Sequence, residues 1–559
     1  MSLATKPLIE TTGLTVEFGG NLAVRGLSLA VHPGECLGVV GESGSGKSVT
    51  ARTLIGLAGP GADVRADSLR VDGKDAIRYT DSQWRKVRGS RIGLVLQDAL
   101  ASLDPLRRVG QEIAEPLRLH RAVPRGEAAA RAVQLLRTVG VPEPEIRSRQ
   151  YPHELSGGLR QRALIASALA CDPPLVVADE PTTALDVTVQ AQILALLARQ
   201  KEAGTALLLI SHDLGVVSQL ADRVLVMKEG AAVEEGPAQQ VLTAPEHPYT
   251  RELLGAVPSV RRSRVTVRPP AVPSPVPAQT APAAPAAPPP LSAPAALIEA
   301  RGITKSFGRR RVLDEVSFSL YEGETLGLVG ESGSGKTTLA RVALGLTGPD
   351  RGDVLVGGRS WQAMKGHERR RARRGIQIVH QDPLGSFDPR FNVRRVLEEA
   401  LEVGGVPRPR RRDRAGELLE QVGLDGALLE RRPLHLSGGQ RQRVAVARAL
   451  ATGPRVIVCD EPVSALDVTV QAQILDLLSG LQAELGVSYL FISHDLGVVR
   501  QVCHRVAVLK DGVIVENGDA EEVFERPRHD YTRSLLSAVP ILPEQPVPAA
   551  RATATEASS

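Results

Sequence analysis

Aromatic side chains make up only 3% of this 559-residue chain, and its four cysteines, Cys36, Cys171, Cys459 and Cys503, stand far apart with no CxxC spacing. Such spacing offers no zinc site and no disulfide framework, so the cysteines read as small buried hydrophobes. No apolar run approaches the ~18 residues that a membrane-spanning helix needs. The opening MSLATKPLIETTG has neither the apolar core nor the cleavage site of a signal peptide, so a cytoplasmic chain is expected. A net charge of +5 is carried largely by arginine runs such as RRRARR at 369–374 and RPRRRDR at 408–414. Without interleaved aromatics these read as solvated helix faces, and no nucleic-acid partner is expected.

What the chain does have is one glycine-rich loop written twice. GESGSGKS comprises Gly41, Glu42, Ser43, Gly44, Ser45, Gly46, Lys47 and Ser48. GESGSGKT comprises Gly330, Glu331, Ser332, Gly333, Ser334, Gly335, Lys336 and Thr337. Both fit the phosphate-binding pattern G-x-x-x-x-G-K-[ST], in which inward-pointing N–H groups and a helix N-terminus make an anion site. Lys47 and Lys336 are placed to reach the outer phosphates of a nucleotide, and Ser48 and Thr337 to hold Mg²⁺. An apolar run precedes each loop (36–40 and 325–329) and a helical pattern follows each, VTARTLIGL and TLARVALGL.

The duplication extends well beyond the loops. LSGGLRQR at 155–162 returns as LSGGQRQR at 436–443, and ISHDLGVV at 210–217 returns unchanged at 492–499. LVVADEPTTALDVTVQAQIL from Leu175 returns as VIVCDEPVSALDVTVQAQIL from Val456. The expected organisation is one domain at 8–258, a proline/alanine-rich linker at 259–296, a second copy at 297–540 and a disordered tail at 541–559. At ~3.1 Å per residue the linker would reach on the order of 100 Å.

Taken together, these motifs resemble those of ATP-binding-cassette ATPases, with two nucleotide-binding domains fused. The resemblance implies an α/β fold of two P-loop NTPase (RecA-like) domains, each with an antiparallel β subdomain and a helical subdomain. It implies ATP and Mg²⁺ as the bound nucleotide and metal. Asp179 and Asp460, at the ends of buried strands, would join the Mg²⁺ shell, and Gln97 and Gln381 resemble the family's Q-loop glutamine near the same metal. Glu180 and Glu461 would orient or deprotonate the attacking water, with His212 and His494 as switch histidines on the γ-phosphate. Phe18 and Phe307, equally far ahead of their lysines, resemble the adenine-stacking aromatic. Ser156, Gly157 and Gly158, like Ser437, Gly438 and Gly439, begin helices and would close on the phosphate bound by the opposite domain, an intramolecular head-to-tail pairing.

HPYTRELLGAVP at 247–258 and HDYTRSLLSAVP at 529–540 resemble the C-terminal extension of dipeptide, oligopeptide and nickel importer ATPases. QDALASLDP and QDPLGSFDP resemble the same subfamily, and the helical inserts at roughly 98–155 and 382–436 would face a permease. The expected setting is therefore peripheral, on the cytoplasmic face of the membrane, with two transmembrane permease subunits and, indirectly, an extracytoplasmic solute-binding protein. A soluble translation factor with two such domains is the alternative. Its linker would be a long charged helix, which repeated prolines do not permit.

Overall fold

The computed structural model describes residues 6–258, 296–540 and 542, apart from 98, 125, 184 and 465. The linker expected at 259–296, save Ala296, and most of the tail lie outside the described residues. The chain divides into two compact units, one including Met1–Thr183 and Gln192–Val257 and the other including Pro258–Val539.

The first unit opens with an antiparallel sheet ordered Asn21–Val31, Ile9–Phe18, Ser68–Val71 and Lys74–Asp75, with Ala62–Arg65 also paired to Ile9–Phe18. A six-stranded sheet follows in the order Ala231–Pro237, Arg223–Lys228, Cys36–Val40, Ala206–Ile210, Leu175–Asp179 and Ile92–Val95. Only the outermost pair, Arg223–Lys228 with Ala231–Pro237, is antiparallel. The central strands Cys36–Val40, Leu175–Asp179 and Ala206–Ile210 are buried along their whole length. Continuous apolar runs are what a parallel sheet covered on both faces requires. The second unit repeats this plan with sheets of four and six strands.

Period-two alternation divides the second unit into layers. Ile457 and Cys459 join the core containing the helices Val393–Gly404, Arg411–Gln421 and Gly438–Leu450. Their neighbours Val456 and Val458 join the core under the antiparallel sheet. Tyr489 and Phe491 alternate with Leu490 and Ile492 in the same way. Each fully buried side chain of this size contributes roughly 2 kcal/mol. The helical patterns after the phosphate loops end sooner than the sequence suggests, at Leu54 and Ala343. Gly56 and Gly345 turn the chain there with φ of +70° and +64°.

An ion pair, with its carboxylate buried in the second unit and half-buried in the first, fastens the two sheets of each unit. Glu324 is 1% exposed. It accepts from Tyr321 N at 2.8 Å and from the Arg505 guanidinium at 3.0 Å. Glu35 does the same with His32 N at 2.8 Å and Arg223 at 2.7 Å. Burial pushes the Glu324 carboxyl above its ordinary value, and Arg505 opposes that rise. Arg505→Met is expected to cost the second unit roughly 3 kcal/mol near neutral pH, because it strands a buried carboxylate. A carboxyl with a raised folded value binds its proton more tightly in the folded state, so the deficit shrinks as pH falls toward about 4–5. Thermal unfolding followed by Trp361 fluorescence in a Trp84→Phe background checks both statements.

Candidate functional site

Each phosphate loop is held open by its own backbone and its lysine. Gly41 adopts φ +147°, and a Cβ there would meet the Met227 carbonyl at 2.2 Å. Gly46 adopts φ +96°, caps the following helix without a side-chain hydrogen bond, and leaves no room for a Cβ against the Ala23 carbonyl. The first-turn amides of Lys47–Leu54 thus start with no side-chain cap, as an anion site requires. Lys47 Nζ donates to the carbonyls of Gly41 and Glu42 at 2.7 and 2.6 Å. Lys336 Nζ donates to those of Gly330 and Glu331, both at 2.7 Å. Burial lowers the Lys336 value, with Glu461 opposing.

Ser48 and Asp179 come together although 131 positions separate them. The Ser48 hydroxyl donates to Asp179 Oδ1 at 2.8 Å. Asp179 Oδ2 is buried without a hydrogen bond, and Arg52 Nε lies 4.0 Å away. Burial raises the Asp179 value, and the neighbouring Glu180 charge adds to the rise. A hydroxyl beside a carboxylate with an unsatisfied oxygen is a hard-oxygen donor set, and it fits Mg²⁺. In the second unit Thr337 Oγ1 lies 3.5 Å from Asp460 Oδ1.

Glu180 and Glu461 each sit at the centre of a hydrogen-bonded cluster. Glu180 accepts from Gln97 Nε2 at 2.7 Å and from the Thr183 hydroxyl at 2.8 Å, and its Oε1 is 3.3 Å from His212 Nδ1. Glu461 accepts from Gln381 Nε2 at 2.9 Å and lies 3.3 Å from His494 Nδ1. Both glutamates occupy the left-handed region, at φ +51° and +49°. Their N–H groups are pinned by the Ile210 and Ile492 carbonyls at 2.9 and 3.0 Å. Non-glycine residues in this conformation cost about 1–3 kcal/mol and concentrate at functional sites. Burial alone would raise Glu180, but the hydrogen bond and charge of His212 outweigh it and hold the carboxyl below its ordinary value. Burial alone would lower His212, but Glu180 outweighs it and raises the imidazole.

Phe18 and Phe307 end the first strand of each opening hairpin, opposite Asn21 and Arg310. Phe307 is 55% exposed, so it is not a core residue. Its hairpin partner Arg310 reaches toward Gly333, and Val312 closes on Gly335, which brings the hairpin beside the phosphate loop. Ser156 and Ser437 cap the helices Gly157–Ala168 and Gly438–Leu450, and the clusters around Glu180 and Glu461 are assembled without them. The two caps differ. Ser437 Oγ accepts from Gln440 N at 3.2 Å, while Gln440 Oε1 accepts from Ser437 N at 3.0 Å. At the first cap Leu159 has no group with which to answer Ser156. Sequence reading did not anticipate Thr183 and Ser464, which bond to the glutamates' side chain and carbonyl, respectively. It also gave Tyr249 and Tyr531 no place at the loops, where their hydroxyls accept from Glu42 N and Glu331 N, both at 3.1 Å.

The family described as "ABC transporter" matches residues 24–183 and 313–464, more than half of the chain. The chain belongs to the ABC transporter family. The region described as "Oligopeptide/dipeptide transporter, C-terminal region" matches this ABC protein twice more, at 233–282 and 515–558. Among similar proteins is "Glutathione import ATP-binding protein GsiA" of Salmonella paratyphi A, 43% identical over 96% of this chain and 90% of its own. The protein of that name from Pectobacterium atrosepticum is 44% identical over 97% and 91%. The solved structure of cbiO1 from Clostridium perfringens, titled as part of the ABC transporter complex cbiONQ, is 27% identical over 41% of this chain and 91% of that one, with a TM-score of 0.39. The ABC ATPase expected from the motifs is therefore what the chain is, and the translation-factor alternative falls away.

Two outcomes follow from this geometry. In histidine NMR titrations of the full chain, His212 is expected to titrate above its ordinary value in the native protein and below it in Glu180→Gln. Gln440→Leu is expected to cost about 0.5–1 kcal/mol at the start of its helix, read by hydrogen exchange of residues 438–442, whereas Leu159→Gln should slow exchange at the matching turn.

Proposed function

We propose that this ABC ATPase is the energising subunit of an importer for peptides or a related small solute such as glutathione. It would act peripherally at the cytoplasmic face of the membrane on two permease subunits, supplied by an extracytoplasmic solute-binding protein. The observation that carries this reading is the pairing, in each half, of an ABC transporter match with an oligopeptide/dipeptide transporter C-terminal region. The names of the relatives at 43–44% identity support it. Among the described residues no helix is long and apolar enough to cross a membrane, which fits a subunit that works on separate permeases. In this reading 8–258 and 297–540 are the nucleotide-binding domains and 259–296 joins them.

Within each domain the side chains divide the work. Loop amides and Lys47 or Lys336 cradle the phosphates, and Phe18 or Phe307 offers a ring face to adenine. Ser48, Asp179 and Gln97 would hold Mg²⁺ in the first domain, and Thr337, Asp460 and Gln381 in the second. Bound there, the metal would screen phosphate charge. Glu180, kept ionised by His212, is a competent acceptor for the proton of an attacking water, and Gln97 fixes its orientation. His212, its value raised by that same carboxylate, offers an N–H donor to the γ-phosphate. Glu461 and His494 repeat this arrangement. Ser156, Gly157 and Gly158, with Ser437, Gly438 and Gly439, present further helix N-termini to phosphate.

The Glu180→Gln, Glu461→Gln double variant is expected to bind ATP while losing at least about a hundredfold in hydrolysis rate. Recovered from native cells with ATP present, it should carry two polytopic permease subunits identifiable by mass spectrometry. Normal turnover would remove the glutamates from catalysis, and a preparation holding no permease would overturn the importer reading.

A further inference from the structure

The C-terminal helix of each unit ends a chain of hydrogen bonds that starts at the phosphate loop. Tyr249 lies on Pro248–Gly255 and Tyr531 on Asp530–Ser537, with side chains 3% and 8% exposed. A buried tyrosine hydroxyl generally finds some partner. Here that partner is the same one in both units, the N–H of the loop's second residue, Glu42 or Glu331, at 3.1 Å. That N–H belongs to the peptide group whose carbonyl, on Gly41 or Gly330, accepts from Lys47 or Lys336 at 2.7 Å. A single peptide plane is thus held at both ends, by the lysine on one side and the tyrosine on the other. Rotating it would take the carbonyl away from the ammonium and leave the N–H without its acceptor.

The tyrosine is itself anchored from behind. His247 Nδ1 accepts from Tyr249 N at 3.2 Å, and His529 Nδ1 from Tyr531 N at 3.0 Å. The backbone N–H groups of His247 and His529 donate to the carboxylates of Glu234 and Glu516, each at 3.1 Å. On the loop side, Lys228 and Lys510 lie over the tyrosine rings at 4.5 and 4.9 Å. Burial pushes the Tyr531 hydroxyl up to about 12, so it stays neutral at working pH and accepts through a lone pair.

We propose that Tyr249 and Tyr531 are positioning residues for nucleotide binding, through which each C-terminal extension braces the phosphate loop of its own unit. The extension is then part of the nucleotide site, and loss of its hydroxyl contact is felt at the loop. This rests on reading 41–48 and 330–337 as nucleotide-binding loops. Preorganising a loop strengthens binding by removing the cost of ordering it, with little effect on chemistry once nucleotide is bound.

The test is the full-length Tyr249→Phe, Tyr531→Phe double variant, which removes two oxygens and keeps both rings. Titration with a fluorescent ATP analogue should show affinity weakened about three- to tenfold, the worth of one hydrogen bond. KM for ATP should rise by a similar factor while kcat stays within about twofold. A second variant, Leu253→Ala with Leu535→Ala, unpacks the same helices behind the hydroxyls. It should lower the unfolding temperature with less than about twofold change in affinity. Unchanged affinity in the tyrosine variant overturns the proposal. So does an equal loss of affinity in the leucine variant, since the tyrosines would then act only through helix stability. Failure of the native chain to bind the analogue would overturn the loop assignment itself.

Discussion

Val39, Ile210 and Asp179 lie level across three adjacent parallel strands, and this backbone register decides where the chemistry of each unit ends up. In a parallel ladder the carboxyl ends of the strands share one edge. Cys36–Val40 therefore delivers the phosphate loop, Ala206–Ile210 delivers His212, Leu175–Asp179 delivers the acids and Ile92–Val95 delivers Gln97, all to the same rim. In chain order the glutamine comes second and the histidine last. In space the histidine strand lies between loop and acids, and the glutamine strand is outermost. A one-residue slip of Leu175–Asp179 against Ala206–Ile210 would turn Asp179 away from Ser48 and break the bond between them.

The strands that carry this rim were legible because burial on both faces writes them as uninterrupted apolar runs. Cys36–Val40 and Thr325–Val329 form over the residues marked by the sequence. The acids, glutamines and histidines stood out because identical blocks recur in two copies. What escaped was anything decided by backbone conformation or by contacts between distant segments. Nothing in LVVADEP announces that Glu180 adopts φ +51°. HPYT was visible as a pattern, yet only the fold brings Tyr249 to Glu42, 207 positions away. Helix ends after the loops were overextended because apolar periodicity continues past Leu54, whereas Gly56 redirects the chain.

Comparing the copies separates what the fold repeats from what it leaves free. The glutamine–glutamate bonds, the lysine contacts and the tyrosine braces recur with distances that differ by about 0.2 Å or less. Divergence is concentrated at the edges of the site. Gln440 completes a reciprocal cap that Leu159 cannot, and the hydroxyl–carboxylate distance is 2.8 Å in one unit and 3.5 Å in the other. The halves share the glutamine and histidine partners of the glutamate and differ in the third partner, in the signature-helix cap and in the hydroxyl–carboxylate distance.

Lys47 and Lys336 have one more consequence, for the rate of nucleotide capture. Each ammonium already sits inside its loop, engaged by two carbonyls, with the loop folded around it. In the proposed reading an arriving phosphate meets a loop already shaped around its own cation. Capture is then an exchange of oxygen partners at one nitrogen, with no eight-residue segment to be ordered first. Association is slowed when binding must wait for a conformational change. In that reading a loop that keeps its shape around its own lysine avoids that delay.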